Sequence, residues 1–584
     1  MRAISVSWNN LRFGVLSLTF GIAAVAVIPA AKLSADDKPT SSKAKTVATK
    51  TDPSARSGDA ERIKAINQRL ADKWKSNKLK PSDKASDYEF VRRATLDIIG
   101  RIAKPKELEQ FFKDPDSTRR SLLIDRLLKS DEYAKNWANI WTVWLLTRSG
   151  QNDEVLGTYH KQMHRWLEEQ FTKEGTSWKE VVTDLLTATG KTNENGAVNY
   201  ILAHLGEPNP PGEEKDKGKY TMIPITSRTT RLFLGKQTQC AQCHPHPFNK
   251  EMPQSDFWGI NAFFRQIDTP KGRPPEPGNR MMRSTVLELA ENASLNPKGN
   301  VFYEQRDGVI RTTKANFFPS KEKKEKVELQ DGGRRPELAR QITNDPYFGR
   351  AYVNRIWAHF FGKGFTNPID DFSPDNEESH PELLDDLSAE FVHYGYDPRK
   401  LIRWICNSDA YNLSSVANKT NEDSETERFF SRMLLKSLTP EQLFESLIVS
   451  TQAEMFESRE NKEKIRRDWM KSLTTNFGDD EGNEVTFNGT VVQALMMMNG
   501  SEINNSVASK DKGTVALGVV TKKTPKAIMD YLYVSALNRL PRDKEATKIL
   551  DIYKSAPVKS KDGLSFWQDL FWALLNSNEF MLNH

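Results

Sequence analysis

The chain has 584 residues, with 84 Lys and Arg against 78 Asp and Glu and a formal net charge of +6. The charges are interspersed, so composition gives no nucleic-acid signal, and the length predicts two to four domains. Thirteen Trp and 29 Phe are ample material for large cores, while three cysteines exclude a disulfide scaffold.

Residues 1–35 read as an export signal. Arg2 and Arg12 give a positive start, Phe13 to Ile28 carries no charge, and Ala30, Ala31 and Ala35 are small residues suited to cleavage. The apolar run is short for a membrane span; an uncleaved anchor is the alternative. No cysteine follows the run directly, so a lipid anchor is not indicated. No later stretch is long and apolar enough to span a membrane. The expected protein is therefore exported, to the periplasm or the cell surface. Residues 36–60, rich in Lys, Ser, Thr, Asp and Ala, predict a disordered linker.

Helical periodicity begins near Glu61 and marks a first domain over 61–267. Trp137, Trp141 and Trp144 fall four and three apart, on one helix face, which predicts core packing. Ser227 to Gln239 predicts a helix that runs into Cys240-Ala241-Gln242-Cys243-His244, and Pro245 and Pro247 end helical structure just after it.

C-x-x-C-H is the attachment pattern of c-type haem. Two thiols three residues apart on one turn reach the two vinyl groups, and the next residue, His244, becomes the proximal ligand of the iron. Such haem is attached outside the cytoplasm, in agreement with the export signal. Candidates for the sixth ligand are Met252, His359 and the Met496-Met497-Met498 cluster; His246 is too close in sequence to reach the opposite face. Two other readings of the motif stand beside haem. Cys240 and Cys243 with His244, His246 or both could hold zinc or iron, or the two thiols could form a local disulfide. Cys406 lies far away in an apolar helical stretch and reads as a buried thiol.

Residues 268–333 form an irregular connecting segment. Its clearest signal is a β-hairpin, VFYEQ and VIRTT around Arg306-Asp307-Gly308. The Lys- and Glu-rich run Ser320 to Glu328 mixes both signs and reads as solvated loop. A second helical domain covers 334–584. Within it, Thr439-Pro440-Glu441-Gln442 predicts a helix start with a capping box. In NRIWAHFFGKGF, Arg355 and His359 lie on one helix that Gly362 and Gly364 stop. Asp370, Asp371 and His380 follow soon after. One reading gathers Arg355, His359, Asp370, Asp371 and His380 into a polar or metal-binding cleft. The plainer reading has Ser379 capping a helix at His380-Pro381 and Asp370 and Asp371 fixing a turn or pairing with Arg355.

LLKSDEY (Leu127 to Tyr133), ICNSDAY (Ile405 to Tyr411) and LLNSNEF (Leu574 to Phe580) echo one another. In each, Ser is expected to open the next turn and the aromatic to pack back on the core. The chain has no G-x-S-x-G, no H-E-x-x-H and no phosphate-binding glycine loop, so no catalytic residue can be named.

Several long motifs occur in a familiar order. FVRRATLDIIGRIAKPKEL, LIDRLLKSDEYAKNWANIW, LLTATG and FLGKQTQCAQCHPHPF come first. RRPELARQITNDPYFGRAYVNRIWAHFFGKGFTNPIDDFSPDNEESHPELLDDLSAEF, SDAYNLSS, LTPEQL, QALMMMNG and WALLNSNEFMLNH follow. With these the chain resembles the exported planctomycete proteins that join a cytochrome-c-like "PSCyt"-type domain to a planctomycete-specific "PSD"-type domain, both of unknown function. Relatives often have an acidic or amide residue after the motif histidine and Asp after Pro-Phe. Here those places hold Pro245 and Asn249, which counts against a metal site built from those carboxylates.

The expected fold is mainly α, two helical domains joined by a segment with a small β-hairpin. The leading functional expectation is haem c at Cys240, Cys243 and His244, serving electron transfer or redox chemistry with a protein partner. The alternative is a non-haem cell-surface binding or assembly protein in which the motif is a structural metal site or disulfide.

Overall fold

The computed structural model describes residues 58–148, 156–247, 249, 252–269, 288–318, 333–452, 464, 466, 507, 509, 511–555 and 564–584. The export signal, nearly all of the linker and the Met496–Met498 cluster lie outside them. The fold is mainly α. Helices α1 (Gly58–Ser76), α2 (Asp87–Ile99), α3 (Pro105–Lys113), α4 (Arg119–Leu128), α5 (Asp131–Leu146), α6 (Leu156–Thr172), α7 (Trp178–Thr187), α8 (Val198–Leu202), α9 (Glu214–Lys217), α10 (Ile223–Leu234) and α11 (Gln254–Asn261) make the first part. Then come α12 (Arg334–Asn344), α13 (Pro346–Phe361), α14 (Pro381–His393), α15 (Pro398–Cys406) and α16 (Pro440–Thr451), and further helices at Gly513–Thr521, Pro525–Leu537, Asp543–Ser555 and Ser565–Leu575. Among the described residues, no helix is long and apolar enough to cross a membrane.

The predicted starts are where the capping chemistry put them. Thr439 accepts the N–H of Gln442 (3.2 Å), and Gln442 Oε1 accepts the N–H of Thr439 (3.0 Å), a closed capping box. The hairpin is present as β4 (Val301–Glu304) and β5 (Ile310–Thr313), antiparallel with Val301 opposite Thr313. Gly308 at φ +77° and the Asp307 carboxylate, which accepts the Val309 N–H (3.1 Å), shape its turn. Two small sheets have no clear sequence signal. β1 (Gly190–Lys191) and β2 (Ile267–Asp268) flank β3 (Glu288–Glu291) antiparallel, and β6 (Lys436–Ser437) pairs with β7 (Leu582–Asn583).

Residues from both helical segments share one apolar core, from Ile66 to Met433. The Trp stripe of α5 lies inside it, fully buried. Trp141 packs on Trp178 of α7 (3.9 Å between ring centroids) and stacks on Tyr352 of α13 (5.7 Å, 8°), which stacks on Phe391 of α14 (4.6 Å, 5°). A second core joins Leu96 and Ile102 to the C-terminal helices, including Leu532, Trp567 and Phe571.

The echoed segments adopt related structures. Ser130 and Ser577 cap the next helix, Ser408 accepts the N–H of Tyr411 (3.4 Å), and Tyr133, Tyr411 and Phe580 are fully buried. The first and third share more. Arg101 pairs with Glu107 (2.8 Å) and Glu132, while Arg539 pairs with Glu545 (2.8 Å) and Glu579 (2.7 Å). Each arginine follows a left-handed helix cap, Gly100 or Asn538. The two units meet where the Asn538 side chain both accepts from Ala103 N (2.9 Å) and donates to Ala103 O (2.7 Å).

Candidate functional site

The route into the thiol turn differs from the sequence expectation. α10 stops at Leu234, not Gln239, because Gly235 takes the left-handed conformation (φ +61°) and its N–H returns to Arg231 O (3.0 Å). A Cβ at Gly235 would meet the Phe372 ring at 2.3 Å, and Phe372 N donates to Gly235 O (2.9 Å). The loop after α10 is thus held by the segment that follows α13. Downstream, Gln239–Gln242 forms a single 3-10 turn that turns Ala241 inward and leaves Cys240 and Cys243 exposed. Ala241 packs with Met252 and Phe257 in a small apolar cluster under the turn. The carbonyl of Gln242, in the peptide unit that leads into Cys243, accepts from Gln254 Nε2 (3.0 Å) and Trp258 Nε1 (3.1 Å).

His244 of the motif and His246 just beyond it have different hydrogen-bond partners. His244 Nδ1 faces the Pro245 carbonyl (2.7 Å), which can only accept, so Nδ1 is the donor, and in the neutral ring the lone pair falls to Nε2. His246 is buried, and its Nδ1 faces the Asn249 N–H (2.9 Å), which can only donate, so that lone pair is in use. Cys240, Cys243 and Cys406 are all free thiols, and Cys406 is buried in the main core. Burial, with Asp97 nearby, pushes the Cys406 thiol well above its ordinary pKa. Among the described residues, no group of three or more His, Cys, Asp and Glu is arranged to hold a metal ion.

The residues of the second polar cluster do not converge. Arg355 and Asp370 meet (3.5 Å), and Asp370 also binds Arg231 of α10 (3.0 Å) and the Gln237 amide (3.3 Å). Asp370 therefore braces the loop that leads to Cys240. Asp371 accepts the Ser373 N–H (3.0 Å) and so fixes a turn. His359 points elsewhere, with Nε2 on the Asp97 carbonyl (3.0 Å) and its ring against Trp137 and Trp144. His380 is itself the N-cap of α14, without a side-chain cap bond; the Ser379 hydroxyl lies 3.0 Å from its Nδ1, and its ring packs near Phe365 and Phe430. Burial pulls His359 down to about 4 and His380 down to about 3.

A buried polar node around Asp97 was not visible in the sequence. Asp97 of α2 accepts from Lys436 Nζ (2.7 Å), Asn583 Nδ2 (2.7 Å) and Tyr411 Oη (2.8 Å), and all of these groups are within the protein. Lys436 also donates to the carbonyls of His359 (2.8 Å) and Phe360 (2.9 Å) at the end of α13. Burial lowers the Lys436 pKa, and Asp97 opposes that shift. Next to it, Arg93 donates to Tyr411 O (2.6 Å) and Leu413 O (2.9 Å), while Arg92 donates to Phe580 O (2.7 Å). Through this node FVRRATLD, SDAYNLSS and NEFMLNH meet, which makes it a structural joint between distant parts of the chain.

Comparison with known proteins matches two separate regions of the chain. Residues 65–269 match PSCyt2, described as a protein of unknown function (DUF1549), and residues 334–553 match PSD1, also a protein of unknown function (DUF1553). No curated protein matches the chain, and no solved structure does. The chain belongs to the proteins that carry a PSCyt2 region followed by a PSD1 region, with the Cys-x-x-Cys-His turn in the first and its Asp370 brace in the second.

Proposed function

We propose that this is an exported redox protein whose Cys240 and Cys243 attach one c-type haem and whose His244 supplies the proximal ligand. The observation that carries the reading is the His244 Nδ1 bond to the Pro245 carbonyl. In the neutral ring it selects the tautomer whose lone pair is on Nε2, the atom that would hold an iron, and a carbonyl partner on the other ring nitrogen is the usual support of a metal-bound imidazole. The residues present fit the group. Two free thiols three residues apart are both exposed, so they are accessible for attachment at the surface of the turn. Haem held there supplies one-electron chemistry at its iron. Met252 lies under the same turn, in contact with Ala241, while His359 is committed to the Asp97 carbonyl.

The test is a visible spectrum and pyridine haemochrome assay on protein exported from a host with c-type haem maturation. A c-type spectrum that is lost in the Cys240→Ala, Cys243→Ala double variant is the expected result. A colourless, folded protein from that host refutes the reading. It would favour the alternative, a non-haem protein for binding or assembly at the cell surface with the two thiols as a structural pair.

A further inference from the structure

We infer that Gln254 and Trp258 are positioning residues for attachment at the thiol turn, and that they act on Cys243 more than on Cys240. This rests on the haem reading above and goes beyond it. Both residues stand on α11, four apart and so on one face. Both donate to a single acceptor, Gln242 O, at 3.0 and 3.1 Å. That oxygen belongs to the peptide unit that also contains Cys243 N, so fixing it fixes the plane from which the Cys243 side chain departs. Cys240 lies inside the 3-10 turn, whose own geometry and the bond from Ala241 N to Thr238 O (2.9 Å) hold it.

Gln254 does more than add a second bond. Its Nε2 also donates to Glu304 O of β4 (2.8 Å). Both partners are carbonyls, so this end of the amide is the nitrogen, and its two hydrogens tie the turn to the hairpin. Gln254 is 3% exposed, and its Oε1 is buried without a hydrogen bond among the described residues. A buried amide with an unsatisfied oxygen is unfavourable, and what the position gains is the donor pair. Trp258 is braced in turn by Tyr303 of β4, stacked at 6.2 Å and 9°. Turn, helix and hairpin therefore act as one support.

The chemistry needs such a support. Each link would form by addition of a Cys S–H across a vinyl group, with sulfur on the carbon next to the ring and the proton on the outer carbon, without net electron transfer. Two additions to one rigid macrocycle would require each sulfur to lie against its own vinyl group. A turn that loses its hold on the Gln242 peptide keeps Cys240 in place and releases Cys243.

The experiment compares wild type with Gln254→Met and Trp258→Phe, which keep volume and stacking but remove the donors. Protein from a c-type maturation host is read by pyridine haemochrome and by peptide mass. The expected result is a raised fraction of haem joined by one thioether, through Cys240, with its red-shifted haemochrome band. Haem-free protein from a host without maturation is read by the alkylation rates of the individual cysteines. There Cys243 is expected to react several-fold faster relative to Cys240 than in wild type, while buried Cys406 stays protected and so reports an intact fold. Unchanged double attachment and an unchanged Cys243 to Cys240 ratio in both variants would overturn the inference, as would loss at Cys240 instead. If wild type takes up no haem, the cofactor reading fails, and the alkylation ratio still decides the positioning role.

Discussion

Replacing Asp97 tests whether the buried node joins the chain. In Asp97→Leu, the Lys436 ammonium remains inside the protein without its counter-charge, and the Asn583 amide and Tyr411 hydroxyl lose their acceptor. Removing one member of a buried ion pair costs about 3–5 kcal/mol. Each orphaned neutral donor adds about 1 kcal/mol or more, less than additively. The expected loss is therefore about 5 kcal/mol, a large share of the roughly 5–15 kcal/mol that stabilises a folded protein. The Asp97→Leu, Lys436→Met double variant removes the stranded cation as well and should regain about 2 kcal/mol or more. It will not regain everything, since Lys436 also binds the His359 and Phe360 carbonyls. Urea midpoints of the three proteins measure both numbers. A single variant within about 1 kcal/mol of wild type, or a double variant no better than the single, would show that the node carries no such load.

Two further outcomes follow from charge and burial. His204, His359 and His380 are held down to about 3, 4 and 3, chiefly by burial. They stay neutral in the folded protein while an unfolded chain protonates them near pH 6.5, so stability falls as pH drops from about 6.5 to 4, by up to about 1.4 kcal/mol per unit for each group. Asp256, raised to about 6 by burial, works in the opposite direction, since its folded form holds a proton that the unfolded chain releases. His164 and His584, also held down to about 4 by burial, add to the histidine side, and Asp184 and Asp569, raised by burial, add to the other. Five histidines against three carboxyls leave acid destabilisation, and a flat melting temperature between pH 6.5 and 4.5 would contradict it. The twin arginines give the second outcome. Arg101→Met and Arg539→Met should each lose about 2–3 kcal/mol, because each arginine holds two carboxylates in the same way. Melting shifts that differ by more than about threefold would show that the likeness of the two units is only geometric.

Much of the local structure was legible because its causes are local. The Thr439 capping box, the Asp-Gly hairpin and the Trp137 stripe depend on residues a few positions apart. α10 ends five residues short of the expected Gln239 because Gly235, itself a local helix-stop signal, takes the left-handed conformation. The two-residue strands β1 and β2 are too short to leave a pattern. The Asp97 node was hidden for a different reason. FVRRATLD carries three charged residues, yet all three are buried, and Asp97 meets Tyr411, Lys436 and Asn583, 314 to 486 positions away. Polarity usually marks the surface, and only long-range partners make it an interior feature. The thiol turn was found from its spacing, while its supports, Gln254, Trp258 and Asp370, carry no pattern that spacing could reveal.

The joint nature of the two matched regions has a consequence for how the protein folds. Trp141 and Trp178 in the first region lie against Tyr352 in the second, which stacks on Phe391. A chain cut in the connecting segment, made as 58–269 and 333–584, would expose that aromatic face on both pieces and strand Asp97 and Lys436 on opposite sides. Aromatic side chains bury roughly 150–250 Å² each, so four of them alone would expose several hundred Å², enough to make an isolated piece aggregate or bind a hydrophobic dye. The expected result is that neither piece is a cooperatively folding monomer alone, while co-expression yields a stable complex with the melting behaviour of the intact chain. Two pieces that each unfold cooperatively, with midpoints near that of the whole protein, would show instead that the shared core is an interface between independent domains. The thiol turn then would keep its geometry without Asp370, and Cys240 and Cys243 of a first region made alone would be alkylated at the rates seen in the full chain.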